Sequence, residues 1–229
     1  MWDLRLSRFG AVGTVVLLLA GPSGCAEPTL RPEVRLQAQA AYQRGQADLT
    51  DGRTVSALSA FKEAISLDKV NPIYHNSLGV LLLNLKRPET TTEALGHLRR
   101  AIELDPQYAE AHHNLGVGLA ETGQWDAAVT AYRKALGLPT FARPDMAQHN
   151  LGWALYNLGR DAEAEEALRL AARLEPKLEG AHYILGLVLV RQGRRDEAKT
   201  EFRRARELAP DSPFGQAAAM HLKALGDGG

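Results

Sequence analysis

Five glycines, Gly45, Gly79, Gly116, Gly152 and Gly186, recur at spacings of 34, 37, 36 and 34 residues, each beside an apolar helical stretch. Behind each comes a pair of alanines seven apart: Ala57/Ala64, Ala94/Ala101, Ala128/Ala135, Ala164/Ala171 and Ala198/Ala205. Inside each pair sits one large apolar residue, in order Phe61, Leu98, Tyr132, Leu168 and Phe202. In four of the five units a second glycine follows the first by seven residues, as Gly52, Gly123, Gly159 and Gly193. A period of this length describes one supersecondary unit used repeatedly. The first glycine and first alanine are small, so two antiparallel helices can approach closely. The second glycine suits a left-handed cap between them. The alanine and the large residue share one helical face. Prolines 72, 106, 139, 176 and 210 close the units, because proline cannot continue the second helix.

Composition agrees with helices. Ala, Leu, Arg and Glu are abundant, aromatic residues make up only 6%, and β-branched residues are sparse. With 45% hydrophobic and 24% charged residues the chain can bury a core. Its 27 basic residues balance 27 acidic ones, so it lacks the basic excess of a nucleic-acid binder. The pattern resembles the tetratricopeptide repeat over about residues 38 to 212. That resemblance implies an all-α, right-handed superhelical solenoid of five helix-turn-helix units. Their expected bounds are about 38–71, 72–108, 109–144, 145–178 and 179–212, in a repeat domain of 34–212. The segment 213–226, with Phe214, Ala218, Leu222 and Leu225 on one side, is expected to cap the exposed end. Residues 227–229 should fray. Three extra residues between Gly79 and Ala94 are expected to make the second unit's turn bulge around Lys86–Thr92. Two more lengthen the connector around Phe141–Pro144.

The N-terminus reads as an address. Arg5 and Arg8 precede the apolar run Gly10–Ala20, whose eleven residues reach roughly 16 Å as a helix, about half a bilayer core. This is a signal-peptide pattern covering 1–24, not a membrane span. Gly24-Cys25 resembles the end of a bacterial lipoprotein signal, which implies lipidation of Cys25, with 25–33 as lipidated N-terminus and tether. Pro22 stands where that family has leucine, and ordinary secretory cleavage would leave Cys25 a plain thiol. As the chain's one cysteine, Cys25 can form no internal disulfide. Ala26 after it resembles lipoprotein cargo sorted to the outer membrane.

No catalytic or metal chemistry is expected, and no cofactor. Of seven histidines, His75, His112 and His182 hold the fourth position of their units, while His113 and His149 hold the fifth, so the repeat itself explains them. Gly116-Val117-Gly118 lacks both a third glycine at dinucleotide spacing and a preceding strand. The stretch Arg191–Arg206 carries seven basic and three acidic residues, interspersed as on a solvated helical face. Function is therefore expected in the groove that the first helices of a curved array present. The family's inward positions map to Asn76, Val80 and Asn84 in the second unit, and to His113 and Val117 in the third. The fourth contributes His149, Trp153, Tyr156 and Asn157; the fifth contributes Tyr183, Leu187 and Arg191. The family's carboxylate clamp of paired Lys and Asn is absent from these positions. An apolar, aromatic groove suits an apolar partner segment anchored on Trp153 and Tyr156.

The stretch Ala135–Arg160, ALGLPTFARPDMAQHNLGWALYNLGR, together with the signal and Cys25, resembles the type IV pilus pilotins, the PilF/PilW group that includes the Tgl lipoprotein. That resemblance implies a lipid-anchored protein on the periplasmic face of the outer membrane. Its implied partner is a secretin, whose localisation and assembly it promotes for type IV pilus biogenesis and motility. A general envelope adaptor for peptidoglycan enzymes or proteases is the alternative. Nucleic acid and small-molecule substrates are not expected as partners.

Overall fold

The computed structural model describes residues 30–226. The segment 1–24 read as a signal, Cys25 with its expected lipid anchor, and the tail 227–229 lie outside the described residues. The rest is helical. The order is α1 (Pro32–Thr50), α2 (Thr54–Leu67), α3 (Pro72–Asn84), α4 (Pro88–Leu104), α5 (Ala109–Glu121), α6 (Trp125–Leu136), α7 (Pro144–Asn157), α8 (Asp161–Leu174), α9 (Glu179–Arg191), α10 (Arg195–Leu208) and α11 (Pro213–Ala224). Successive pairs α1/α2 to α9/α10 form five hairpins, and α11 packs on α9 and α10. Consecutive first helices (α3–α5, α5–α7, α7–α9) also pack on each other more than second helices do, so the first helices line the inside of the curve.

Local chemistry sets the boundaries. Proline occupies the first turn of α1, α3, α4, α7 and α11, where its missing N–H costs nothing. Asn71 and Ser212 cap α3 and α11, accepting from the backbone N–H of Ile73 (3.0 Å) and Gly215 (3.1 Å). Between units the chain turns on an acidic residue. Asp68, Asp105 and Glu175 accept from the N–H two residues ahead at 3.2, 2.9 and 3.0 Å. Within a hairpin the first helix ends in a left-handed residue. Gly123, at φ 73°, donates to Ala120 O (3.0 Å), and the next N–H, of Gln124, reaches back to Leu119 O (2.9 Å).

Three expectations need correction here. The second unit's turn does not bulge. Lys86 takes the left-handed position itself, at φ 51°, and the three extra residues extend α4 by one helical turn starting at Pro88. Adding hydrogen-bonded helix satisfies those backbone groups better than a loop would. Pro72 opens α3 instead of closing α2, which has already ended at Leu67. The helix α1 begins at Pro32, two residues inside the segment read as tether.

The core is a ladder of one repeated contact. The large residue of each second helix lies against the bare backbone of the glycine on the first. A Cβ built on Gly45, Gly79, Gly116, Gly152 or Gly186 would come within 2.5–2.7 Å of Phe61, Leu98, Tyr132, Leu168 or Phe202. The flanking alanines, such as Ala164 and Ala171 beside Leu168, are fully buried. Each such leucine contributes roughly 2 kcal/mol through burial. At the open end Ala218 and Leu222 bury against the fifth hairpin, while Met220 faces outward.

The same substitution should have opposite signs at two helical glycines. Gly152→Ala drives a methyl into Leu168 and should destabilise by about 1–3 kcal/mol despite better helix propensity. Gly96, inside α4, has nothing within 4 Å of a built Cβ, so Gly96→Ala should stabilise by about 0.5–1 kcal/mol. Urea denaturation followed by far-UV circular dichroism measures both; equal shifts of the same sign would refute the notch.

Candidate functional site: the concave aromatic face

The first helices are stitched side by side with polar groups. Tyr42 and Ser77 join α1 to α3 through their hydroxyls (3.1 Å). The Asn114 amide donates to Asn76 Oδ1 (3.0 Å), and the Asn150 amide donates to His113 Nε2 (3.1 Å). These bonds settle where several candidate residues stand. Asn76 lies at the floor of the groove: it is largely buried, and its amide also donates to the Tyr108 hydroxyl at 3.2 Å. It holds neighbouring units together because a buried amide must find partners. Val80 and Asn84 lie farther along α3 on a shallow cleft of about 210 Å³ that reaches Gln46 and Leu49. Val117 and Leu187 pack against the core as partly buried residues.

His113 and His149 are also turned inward. His113 sits between Tyr132 (5.7 Å) and Phe141 (5.4 Å), ring to ring. His149 Nδ1 donates to Asn150 Oδ1 (3.1 Å), while its Nε2 is buried without a hydrogen-bond partner. Burial pushes the pKa of both imidazoles down. The remaining position-four histidines share a latch. Nε2 of His75, His112 and His182 donates to the carbonyl six residues earlier, of Lys69, Pro106 and Pro176, at 3.2, 3.1 and 3.3 Å. Each latch holds the loop between units against the next hairpin. Among the described residues no group of three or more His, Cys, Asp or Glu is placed to hold a metal ion.

The fourth and fifth units bring the remaining candidates together. Trp153, at 36% exposure, stacks on Tyr156 with centroids 5.6 Å apart and planes 18° apart. Arg191 lies over the other part of this surface, its guanidinium carbon 3.9 Å from the Tyr156 ring centroid. It donates to Tyr156 O at 2.7 Å and forms an ion pair with Asp161. The Asn157 amide folds back onto Trp153 O (2.8 Å). Tyr183 stands apart, packed among Phe202, Phe214 and His221. Trp125, at the start of α6, meets Trp153 edge-on at 6.5 Å. Sequence reasoning missed Trp125 and Asp161, since it took inward residues from first helices alone. The aromatic residue two after Gly123 was the available signal. Arg191 is thus clamped, and Trp125, Trp153 and Tyr156 form a continuous aromatic rail.

The basic stretch Arg191–Arg206 is tied to neighbouring acids at Arg191 and Arg194. Arg194 bridges Glu165 (2.7 Å) and Glu197 (2.6 Å), and Arg169 bridges the same two acids. Burial works to raise the Glu165 pKa, but hydrogen bonds from Arg194 and Arg169 outweigh it and hold the carboxyl at about 2.

The sequence pattern of the tetratricopeptide repeat matches residues 109–138, 146–178 and 180–212, and a second pattern of that repeat matches 91–123. The chain is a tetratricopeptide-repeat protein. Among curated proteins it is 30% identical over 175 residues to Protein POLLENLESS 3-LIKE 2 of Arabidopsis thaliana, covering 72% of this chain and 40% of that one. It is 29% identical over 167 residues to the type IV pilus assembly protein PilF of Pseudomonas aeruginosa, covering 72% of this chain and 66% of that one. The chain therefore spans less than two thirds of either relative. Of solved structures, PilW, titled a type IV pilus biogenesis factor, superposes with a TM-score of 0.74 at 20% identity, covering 83% of this chain and 87% of PilW. That likeness shows a shared tetratricopeptide fold. Within that fold, Asn76, Asn114, Asn150 and His113 join neighbouring first helices of this array.

The histidines make acid sensitivity a consequence of this packing. His113 and His149 have folded pKa values below the unfolded value of about 6.5. The unfolded chain therefore binds protons first as pH falls, and stability is full above about 6.5 and declines below it. The melting temperature should fall between pH 7 and pH 5, and His149→Phe should flatten that decline. An unchanged slope in the variant would refute the assignment.

Proposed function

We propose that this protein is a lipid-anchored scaffold that binds secretin subunits and promotes their outer-membrane localisation and assembly for type IV pilus biogenesis and pilus-dependent motility. The observation carrying this reading is the rail of Trp125, Trp153 and Tyr156, presented by the first helices and the start of α6. A pre-packed aromatic cluster whose outermost ring, Trp153, is exposed suits an apolar segment, because it buries large area at low cost in side-chain entropy. The likeness to PilF supports the pilus assignment. The reading is non-catalytic: the polar groups of the concave face hold units together and converge on no reacting atom.

Mechanistically, acyl chains on Cys25 would fix the array at the membrane, each buried CH2 contributing roughly 0.8 kcal/mol. The rail would then hold an apolar secretin segment until subunits oligomerise. Arg191, pinned by Asp161, keeps Tyr156 oriented and leaves the Trp153 face open. The second reading is an envelope adaptor for peptidoglycan enzymes or proteases, which fits the variety of tetratricopeptide relatives.

Deleting the gene should abolish detergent-resistant secretin multimers while monomers persist. Trp153→Ala should weaken secretin capture by at least ~2 kcal/mol, roughly 30-fold. Cys25→Ala should leave the membrane fraction. Intact multimers in the deletion strain, with cell-wall enzymes captured by the purified protein, would favour the adaptor.

A further inference from the structure

Consecutive second helices are strapped across the convex face by one recurring ion pair. The cation directly follows the large residue of one second helix, and the carboxylate directly precedes the first alanine of the next. The pairs are Lys62–Glu93 at 2.9 Å, Arg133–Glu163 at 2.6 Å and Arg169–Glu197 at 3.4 Å. By the same register Arg99, after Leu98, should meet the residue before Ala128, but that residue is Ala127. Here the strap is broken, and the surface between α4 and α6 opens into a cleft of about 840 Å³. The corresponding clefts on the next two units measure about 230 and 200 Å³.

The cleft has an apolar floor and a cationic rim. Ile102, Leu115, Leu119 and Ala131 line it, with Arg99 and Lys134 on its opposite walls. Among the described residues neither Arg99 nor Lys134 has an ion pair, whereas Glu103, which also lines the cleft, is already paired with Arg100 at 3.0 Å. In the other three straps the matching carboxylate arrives on a helix beside a small apolar residue. Its lining runs from Arg99 to Glu103 on α4 and from Gln124 to Lys134 along α6, roughly 15 Å of chain on the longer wall.

We propose that the α4–α6 cleft is a second protein-docking site, independent of the concave rail. Its occupant is an acidic amphipathic helix of a partner. One carboxylate of that helix takes the place on Arg99 that Glu93, Glu163 and Glu197 take in the intact straps. The apolar face of the helix covers Leu115, Leu119 and Ala131. The unpaired cations select an acidic segment, and the missing glutamate explains why the site is open in this unit alone among those compared.

The test uses a fluorescein-labelled, capped 14-residue helical peptide of Glu, Ala and Leu, and a twin with Lys in place of Glu, titrated into the purified protein by fluorescence anisotropy. The acidic peptide should bind and the basic twin should not. Arg99→Glu should weaken binding at least tenfold. Ala127→Glu should do the same by restoring the strap; Ala127 is exposed, so the glutamate needs no repacking. Trp153→Ala should leave this binding unchanged, which separates it from loss of the concave site. Binding to the Ala127→Glu protein within twofold of wild type would overturn the proposal. So would binding of dodecanoate with none of the acidic peptide, which would make the cleft a site for small amphiphiles.

Discussion

The contact between a bare glycine backbone and one large side chain governs the geometry of every hairpin. Leu168 approaches Gly152 so closely that even a methyl there would overlap it, and the same holds at the other four glycines. Because the large residue enters a notch, the two helices sit close and the alanines on either side are sealed from water. The hairpin angle then repeats, and a repeated angle generates a curved array without any long-range instruction. That is why contacts in this fold run almost entirely between sequence neighbours, as in other solenoids.

Curvature comes from treating the two faces differently. The inner face is drawn together by short bonds between first helices, through Asn76, Asn114, Asn150 and His113. The outer face is held by exposed ion pairs between long side chains of second helices. Exposed pairs contribute little individually, so they guide spacing more than they stabilise. Where one pair is missing, the outer face gapes. Where aromatic side chains from the third and fourth units meet on the inner face, the proposed recognition surface forms. Both proposed surfaces are therefore local departures from the repeat, placed by a scaffold that otherwise varies little.

Much of this was legible in the linear chain. The spacing of Gly116, Gly123, Ala128, Tyr132 and Ala135 contains the helix, the left-handed turn and the packing face of a whole unit. The candidate rail was partly legible, since Trp153 and Tyr156 lie three apart on one helix. Trp125 was not, because it arrives from a different helix and joins them only once two units are stacked. The linking role of Asn76 was not legible for a related reason. Its position in the unit faces inward, but the neighbouring Tyr108 and Asn114 enclose it. The turn after α3 was misjudged because the left-handed position was expected to need glycine, and Lys86 adopts it while the extra residues join α4.

By itself, the sequence determined the hairpin, its period and the number of copies, because these depend on residue size and backbone freedom within about forty residues. Tertiary structure alone decided which side chains remain available. Exposure of Trp153, enclosure of Asn76 and the open α4–α6 cleft each depend on a neighbour one unit away. A side chain's size is written in one residue, but its freedom depends on what the fold places beside it.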